Sequence, residues 1–295
     1  MRPCRAGALI RRFSVHVSAG GGLCSTLPQP GTGMRNAVQI LSAGFIAATM
    51  ARAIGRGVAA WRDRRNGRPR THRLAPDPEV TPESVVQVYG ARCLHWRRYF
   101  SIHTWIALKP AGAKRTVVYE VAGRVPRQPG STVVLRRRRP DMPWFGNPPE
   151  LLADIRGNDS LIDRLEKAIR EYRFGHRYLA WPGPNSNTFI AHLSRAAPEL
   201  GLSLPPTAIG KDYIGRRLIW TAPSGCGIQF SLFGLIGILA SRIEGIEVNL
   251  LGLAFGIDPF VPAVKLPLIG RVGLGRPNGI APRSDVPAGA PKATT

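Results

Sequence analysis

The sequence predicts an α+β protein: an antiparallel sheet with two or more packed helices, preceded by a hydrophobic N-terminal helix. Three observations lead there. "SVVQVYGARC", "SIHTWIALK" and "RTVVYEVAG" follow one another closely and alternate or cluster β-branched and apolar residues in the manner of strands. "NDSLIDRLEKAIREY" places Leu161, Ile162, Leu165, Ala168, Ile169 and Tyr172 at helical spacing behind Asp159 and Ser160, either of which can cap. And 295 residues, 44% of them hydrophobic, are enough to bury a sizeable core.

Taken in order, residues 1–33 are rich in Gly and Arg, end in "PQPGTG" and read as a disordered or mis-started extension. Residues 34–56 hold an uncharged run of 16, "NAVQILSAGFIAATMA", slightly short of the roughly 20 apolar residues that span a bilayer as a helix. A signal segment and an anchor both fit. The first gains from Arg35 in front and "GVAA" ending at Ala60. The second must reckon with Arg52, Arg56, Arg62, Arg64 and Arg65 behind the run, which by positive-inside logic keep the main domain cytoplasmic. Residues 57–78 have linker composition, basic and with prolines, and a single domain is expected over 79–270. Within it a second helix should run from about Asn187 to Ala197, closed by Pro198. The apolar runs "IQFSLFGLIGILA" and "IEVNLLGLAFGI", with "SRIEG" between, read as a buried hairpin, a membrane-surface element being the alternative. Residues 271–295 are Pro, Ala and Gly rich and are expected to be disordered.

The net charge of +23 invites a nucleic-acid or anionic-membrane partner. The basic residues are 35 Arg and only six Lys, beside abundant Gly and Pro, which GC-rich coding produces unaided. A membrane or cell-envelope component is therefore the expected partner and location, nucleic acid is not, and a protein partner stays open. Cys4, Cys24, Cys93 and Cys226 form no CxxC pair and have no histidine at zinc-ligand spacing, and "GTG" at Gly31–Gly33 lacks a P-loop lysine. No metal or cofactor is expected.

The candidate chemistry lies in three places. If "SIHTWIAL" and "TVVYEV" pair around "KPAGAK", opposed residues sum to 223 and His103 lies across from Glu120, as a base lies beside its orienting carboxylate. A one-residue slip would part them. Ser186, in "WPGPNSNTFIAHL", stands where a helix N-terminus stabilises an anion, although Asn185, Ser186 and Asn187 are all good caps. Trp105, Trp181, Asn185, Asn187 and Lys211 are the candidate substrate contacts. Arg136–Arg139 form the sharpest basic cluster, either a solvated loop or a phosphate contact.

From Glu79 to Gly270, "VYGARC", "HTWIALKP", "YEVAG", "WFGNPPELLADIRG", "WPGPNSNTF", "LPPTAIGKDY" and "EVNLLGLAFGID" closely resemble a bacterial family known as domain of unknown function 3750. More distantly, a strand His, a following strand with a polar residue and "N-[C]-x-x-F" opening a helix resemble the circularly permuted papain-like proteins: permuted NlpC/P60 enzymes, the PPPDE group and lecithin:retinol acyltransferase. That resemblance implies His103 as base, Glu120 as its orienting group, Ser186 at the nucleophilic Cys position and N–H groups near Asn187 as oxyanion donors. A serine hydroxyl cannot be deprotonated in advance as a thiol can, so a Ser at that position needs concerted base help. The expectation is a serine-variant amidase, peptidase or acyl hydrolase of the cell envelope; a non-catalytic envelope or lipid-binding module and a basic nucleic-acid-binding protein are the alternatives.

Overall fold

The computed structural model describes residues 74–123 and 131–273, and within these the chain is predominantly antiparallel β. The first sheet contains β1 (Val85–Arg92), β2 (Ile102–Lys109), β3 (Val117–Val121), β4 (Val133–Arg136) and β5 (Glu150–Arg156), in the order β4-β3-β2-β1-β5. The helices α1 (Asp159–Arg170) and α2 (Ser186–Ala196) follow. The second sheet is a seven-stranded meander: β6 (Ile219–Thr221), β7 (Ile228–Leu232), β8 (Ile236–Ser241), β9 (Gly245–Leu250), β10 (Leu253–Asp258), β11 (Ala263–Leu266) and β12 (Gly270–Gly273).

This corrects the predicted class. Two sheets with 12 strands and only two α-helices among the described residues are more β-rich than α+β, and the permuted papain-like arrangement is given up with it. The error has a local cause. "IQFSLFGLIGILA" and "IEVNLLGLAFGI" do not form one buried hairpin: each is a hairpin of its own, turning at Phe233–Gly234 and Leu251–Gly252. Phe233 (φ 53°) and Leu251 (φ 53°) sit in the left-handed region ahead of glycines that also adopt it, which turns the chain within each apolar run. The hydrophobic helix expected over 34–56 lies outside the described residues, and among those described no helix is long and apolar enough to cross a membrane.

Each sheet's faces follow from strand alternation. In the first, Val86, Val88, Ile102, Ile106 and Leu108 face both helices and form the main core with Leu161, Leu165, Phe189, Ile190 and Leu193. Tyr89, Trp105, Ala107 and Val118 point the other way, under Leu74, Trp144 and Leu151. Asp141 ties that cover down by accepting from the Leu74 N–H (3.0 Å) and the Ala75 N–H (3.2 Å). α1 is capped by Asn158, whose side chain accepts from the Leu161 N–H at 3.1 Å, one residue ahead of the expected caps.

The second sheet is polar inside and apolar outside. Gln229, Ser231, Glu247, Asn249, Asp258 and Lys265 are buried, while the alternate positions are exposed on β7, β8 and β9 and exposed or half-buried on β10 and β11. Cross-strand pairing aligns the exposed positions in rows, such as Ile219–Phe230–Ile238–Val248–Phe255 and Leu232–Ile236–Leu250. The polar face is held by buried ion pairs: Glu247 accepts from both Lys211 and Lys265, and Lys211 also reaches Asp212 at 3.3 Å. Gln229 Nε2 donates to the Asp212 carbonyl (3.0 Å), Ser231 Oγ to the same oxygen (2.6 Å), and Arg195 of α2 donates to Gln229 Oε1 (2.8 Å). Burial pulls the Arg195 pKa down to about 10. Burial also depresses Lys211, but the neighbouring Asp212 and Glu247 carboxylates outweigh it and push it up.

Candidate functional site

The N-terminus of α2 is built by the two asparagines that flank Ser186. Asn185 is the N-cap: its Oδ1 accepts from the Asn187 N–H (2.9 Å) and the Thr188 N–H (3.2 Å), and Thr188 Oγ1 accepts from the Asn185 N–H in return (3.1 Å). Asn185 Nδ2 donates to the carbonyls of Ala180 (3.1 Å) and Ile209 (3.0 Å). Asn187 pins α2 to β2: its Nδ2 donates to the Ile102 carbonyl (3.0 Å) and the Ile209 carbonyl (2.8 Å), and its Oδ1 accepts from Thr104 Oγ1 (2.9 Å). Gly210 makes this packing feasible, since a Cβ there would lie 2.3 Å from Asn185 Nδ2. Both asparagines are thus committed to architecture, and the Asn187 N–H, expected to stabilise an oxyanion, is taken by the cap.

Ser186 is 3% exposed and its Oγ accepts from the Thr104 N–H at 3.4 Å. His103 is adjacent in sequence to Thr104 but belongs to the other side of the sheet. Thr104 and Ile102 face the helices, whereas His103 lies with Trp105 on the opposite face, its ring stacked on Trp144 with centroids 3.8 Å apart. Its Nε2 is 3.2 Å from Glu120 Oε2. Among the described residues no hydrogen bond joins Ser186 to His103.

The His103–Glu120 contact is present, but its register corrects the prediction. Trp105 is the residue opposite Glu120, so paired positions sum to 225, not 223. A slip of two preserves the face, so His103 reaches Glu120 diagonally. Glu120 is fully buried and also pairs with Arg136 and, at 3.8 Å, with Arg138, which lies 5.7 Å from the Trp105 ring. Arg139 pairs with Asp141 at 2.9 Å. Three arginines of the basic cluster therefore serve internal carboxylates. Burial lowers the His103 pKa below 6.5 despite Glu120, so the imidazole is neutral at pH 7. Burial alone would raise Glu120; its bonds from His103 and Arg136 outweigh that and hold it lowered.

The cavity at this end of the molecule has a volume of about 370 Å³. Its apolar wall includes Phe100, Ile102, Tyr178, Ile209, Leu251 and Leu253; Ser186, Asn185, Asn187 and His103 line it as well, with Arg97, Cys93 and the half-exposed Trp181. Trp181 Nε1 donates to the Leu251 carbonyl at 2.9 Å, joining the "WPGPNSNTF" segment to the second sheet. Trp105 and Lys211, expected as substrate contacts, do not line the cavity: Trp105 is fully buried with its Nε1 donating to the Pro140 carbonyl (2.8 Å), and Lys211 belongs to the buried ion-pair group. The sequence reading missed Leu251 and Leu253, contributed from 65 residues beyond Ser186, and Tyr178, which no periodicity flags. Trp144 had a visible signal, as the aromatic of "PWFG" after the arginine run. Among the described residues no cluster of His, Cys, Asp and Glu suits a metal ion.

A cavity of this size, lined chiefly by apolar side chains with a few polar groups at a helix N-terminus, has the dimensions and chemistry of small-molecule sites. Residues 83–213 match the family described as "Protein of unknown function (DUF3750)". The matched segment contains the first sheet, both helices and most of the cavity wall, and stops short of the second sheet. Comparison with curated proteins and with solved structures gave no match.

Proposed function

We propose that the protein is a non-catalytic binding module for an amphiphile of the cell envelope, an acyl chain with an ester or amide head. The carrying observation is the cavity of about 370 Å³ at the N-terminus of α2. Its volume is in the range of small-ligand sites, and its wall offers Phe100, Ile102, Ile209, Leu251 and Leu253 to a chain. The Ser186 hydroxyl and the positive end of the α2 dipole suit the carbonyl oxygen of a head group, and exposed Arg97 suits an anionic one. Binding is preferred over catalysis because Ser186 Oγ contacts a backbone N–H and no imidazole, while the His103 ring is turned toward Glu120 and Trp144.

Titration with a fluorescent long-chain fatty acid and its methyl ester tests this. The wild-type chain should bind with a Kd in the micromolar range, Ala180→Trp at the cavity wall should weaken binding at least tenfold, and Ser186→Ala should change it by less than tenfold. Absence of saturable binding, or an Ala180→Trp variant that binds like wild type, overturns the reading.

One observation favours a second reading: Ser186 and His103 line the same cavity. A serine-variant acyl hydrolase requires the His103 ring to leave Glu120 and take the Ser186 proton as the oxygen attacks the carbonyl. Release of nitrophenol from a nitrophenyl acyl ester, lost in both Ser186→Ala and His103→Gln, would support it; equal rates in all three chains would end it.

A further inference from the structure

The second sheet shows solvent an apolar face that the fold leaves uncovered. Ile238 and Val248 at its centre are 53% and 48% exposed, with Phe230 and Phe255 beside them in the same row. Five strands at about 4.8 Å spacing and three rows of side chains give a face on the order of 400 Å² in projection. A contiguous apolar patch of this size is as large as the largest that monomers expose, and such patches are often functional.

We infer that this face is a docking surface for an anionic lipid bilayer, on which the protein lies without crossing. Charge identifies the partner. All four acidic residues from Asp212 to Gly273, namely Asp212, Glu244, Glu247 and Asp258, are buried on the inner side. Arg216, Arg217 and Arg242 remain exposed. Arg242, in the turn after β8, lies over the exposed ring of Phe260 at 5.9 Å, at the rim of the sheet. A cation on an exposed aromatic ring at the rim of an apolar face suits the headgroup level, where the positive end meets phosphate and the ring reaches the acyl boundary. Strands of three to six residues are shorter than the roughly nine to eleven a spanning strand needs, so the face lies on the bilayer. A second copy is a poorer fit, because pairing two such faces would bring their exposed arginines together, whereas anionic headgroups neutralise them. The sheet lies wholly beyond residues 83–213, so this property is separate from the matched segment. It also stands without the cavity reading, because no ligand enters the test.

Carbene footprinting of the unmodified full chain, alone and with vesicles of phosphatidylcholine or of phosphatidylcholine with phosphatidylglycerol, decides the matter. Labelling of Ile238, Val248 and Phe255 should be high in solution and fall at least threefold with the anionic vesicles, less with the neutral ones. Arg216→Glu/Arg242→Glu should remove the difference between the two. The inference is overturned if these residues are already protected without vesicles, through self-association or by the chain's own run Asn36–Ala51, or if they stay labelled on vesicle-bound protein.

Discussion

Asn185 and Asn187 show how much of one short stretch is spent on holding the chain. The Asn185 cap, with its two further bonds to the Ala180 and Ile209 carbonyls, fixes both α2 and the turn before it. Asn185→Ala should cost about 2 kcal/mol, at the upper end for a cap because those carbonyls lose their donor as well; urea unfolding measures it. Removal of the Ser186 hydroxyl should cost less, since its contact is longer and Asn185 does the capping. His103 and Glu120 bring a pH dependence of one sign. Both have folded pKa values lowered from 6.5 and 4.5, so the unfolded chain binds more protons and stability rises with pH. The His103 contribution is complete above about pH 6.5 and is lost as pH falls through its lowered folded value; that of Glu120 follows the same course below about pH 4.5. Unfolding midpoints of His103→Gln should therefore vary less between pH 7 and 5 than those of wild type. His192, also lowered by burial, keeps part of the slope, while Asp212 and Glu244, raised by burial, act in the opposite sense. A wild-type profile no steeper than that of His103→Gln would contradict the assignment.

At the scale of elements, β2 and β3 were readable and their register was not. The β-branched residues of "HTWIAL" and "VVYEV" specify strands and faces, and the face is what brought His103 and Glu120 together. The loop between them determines the register, and it turns about a centre between Gly112 and Ala113, one residue later than the centre of "KPAGAK", which moves every pair by two positions. The helices were readable because amphipathic spacing and caps are local. The second sheet was misread because alternation reveals a strand's two faces without saying which is inside. Here the inner one carries Glu247 between Lys211 and Lys265. Glu247→Ala leaves two buried ammonium groups short of a partner and should destabilise by about 3–5 kcal/mol, read from the denaturant midpoint, whereas joint replacement of all three by apolar residues of matched volume should cost far less. On the outer face, Val248→Thr should change stability by less than about 1 kcal/mol, and the same change at fully buried Val88 should cost several times more.

Over the whole molecule, the sequence determined what depends on neighbours along the chain: the strands, the two amphipathic helices, the capping box at Asn185 and the alternation that puts His103 and Glu120 on one face. Its composition also carried the basic charge, though not where that charge would stand. Tertiary structure alone decided that α2 packs on the Thr104 face of β2, so that Ser186 meets the Thr104 N–H and not the His103 ring. It decided that Arg136, Arg138 and Arg139 serve Glu120 and Asp141 instead of an outside phosphate, that Lys211 is a buried structural cation, and that Leu251 and Leu253 close a cavity begun by α2. It decided, too, that the most apolar strands of the chain turn their aliphatic side outward. Each of these depends on which distant segments meet, and on burial that favours a charge only where an opposite charge is buried with it, which no local pattern of residues contains.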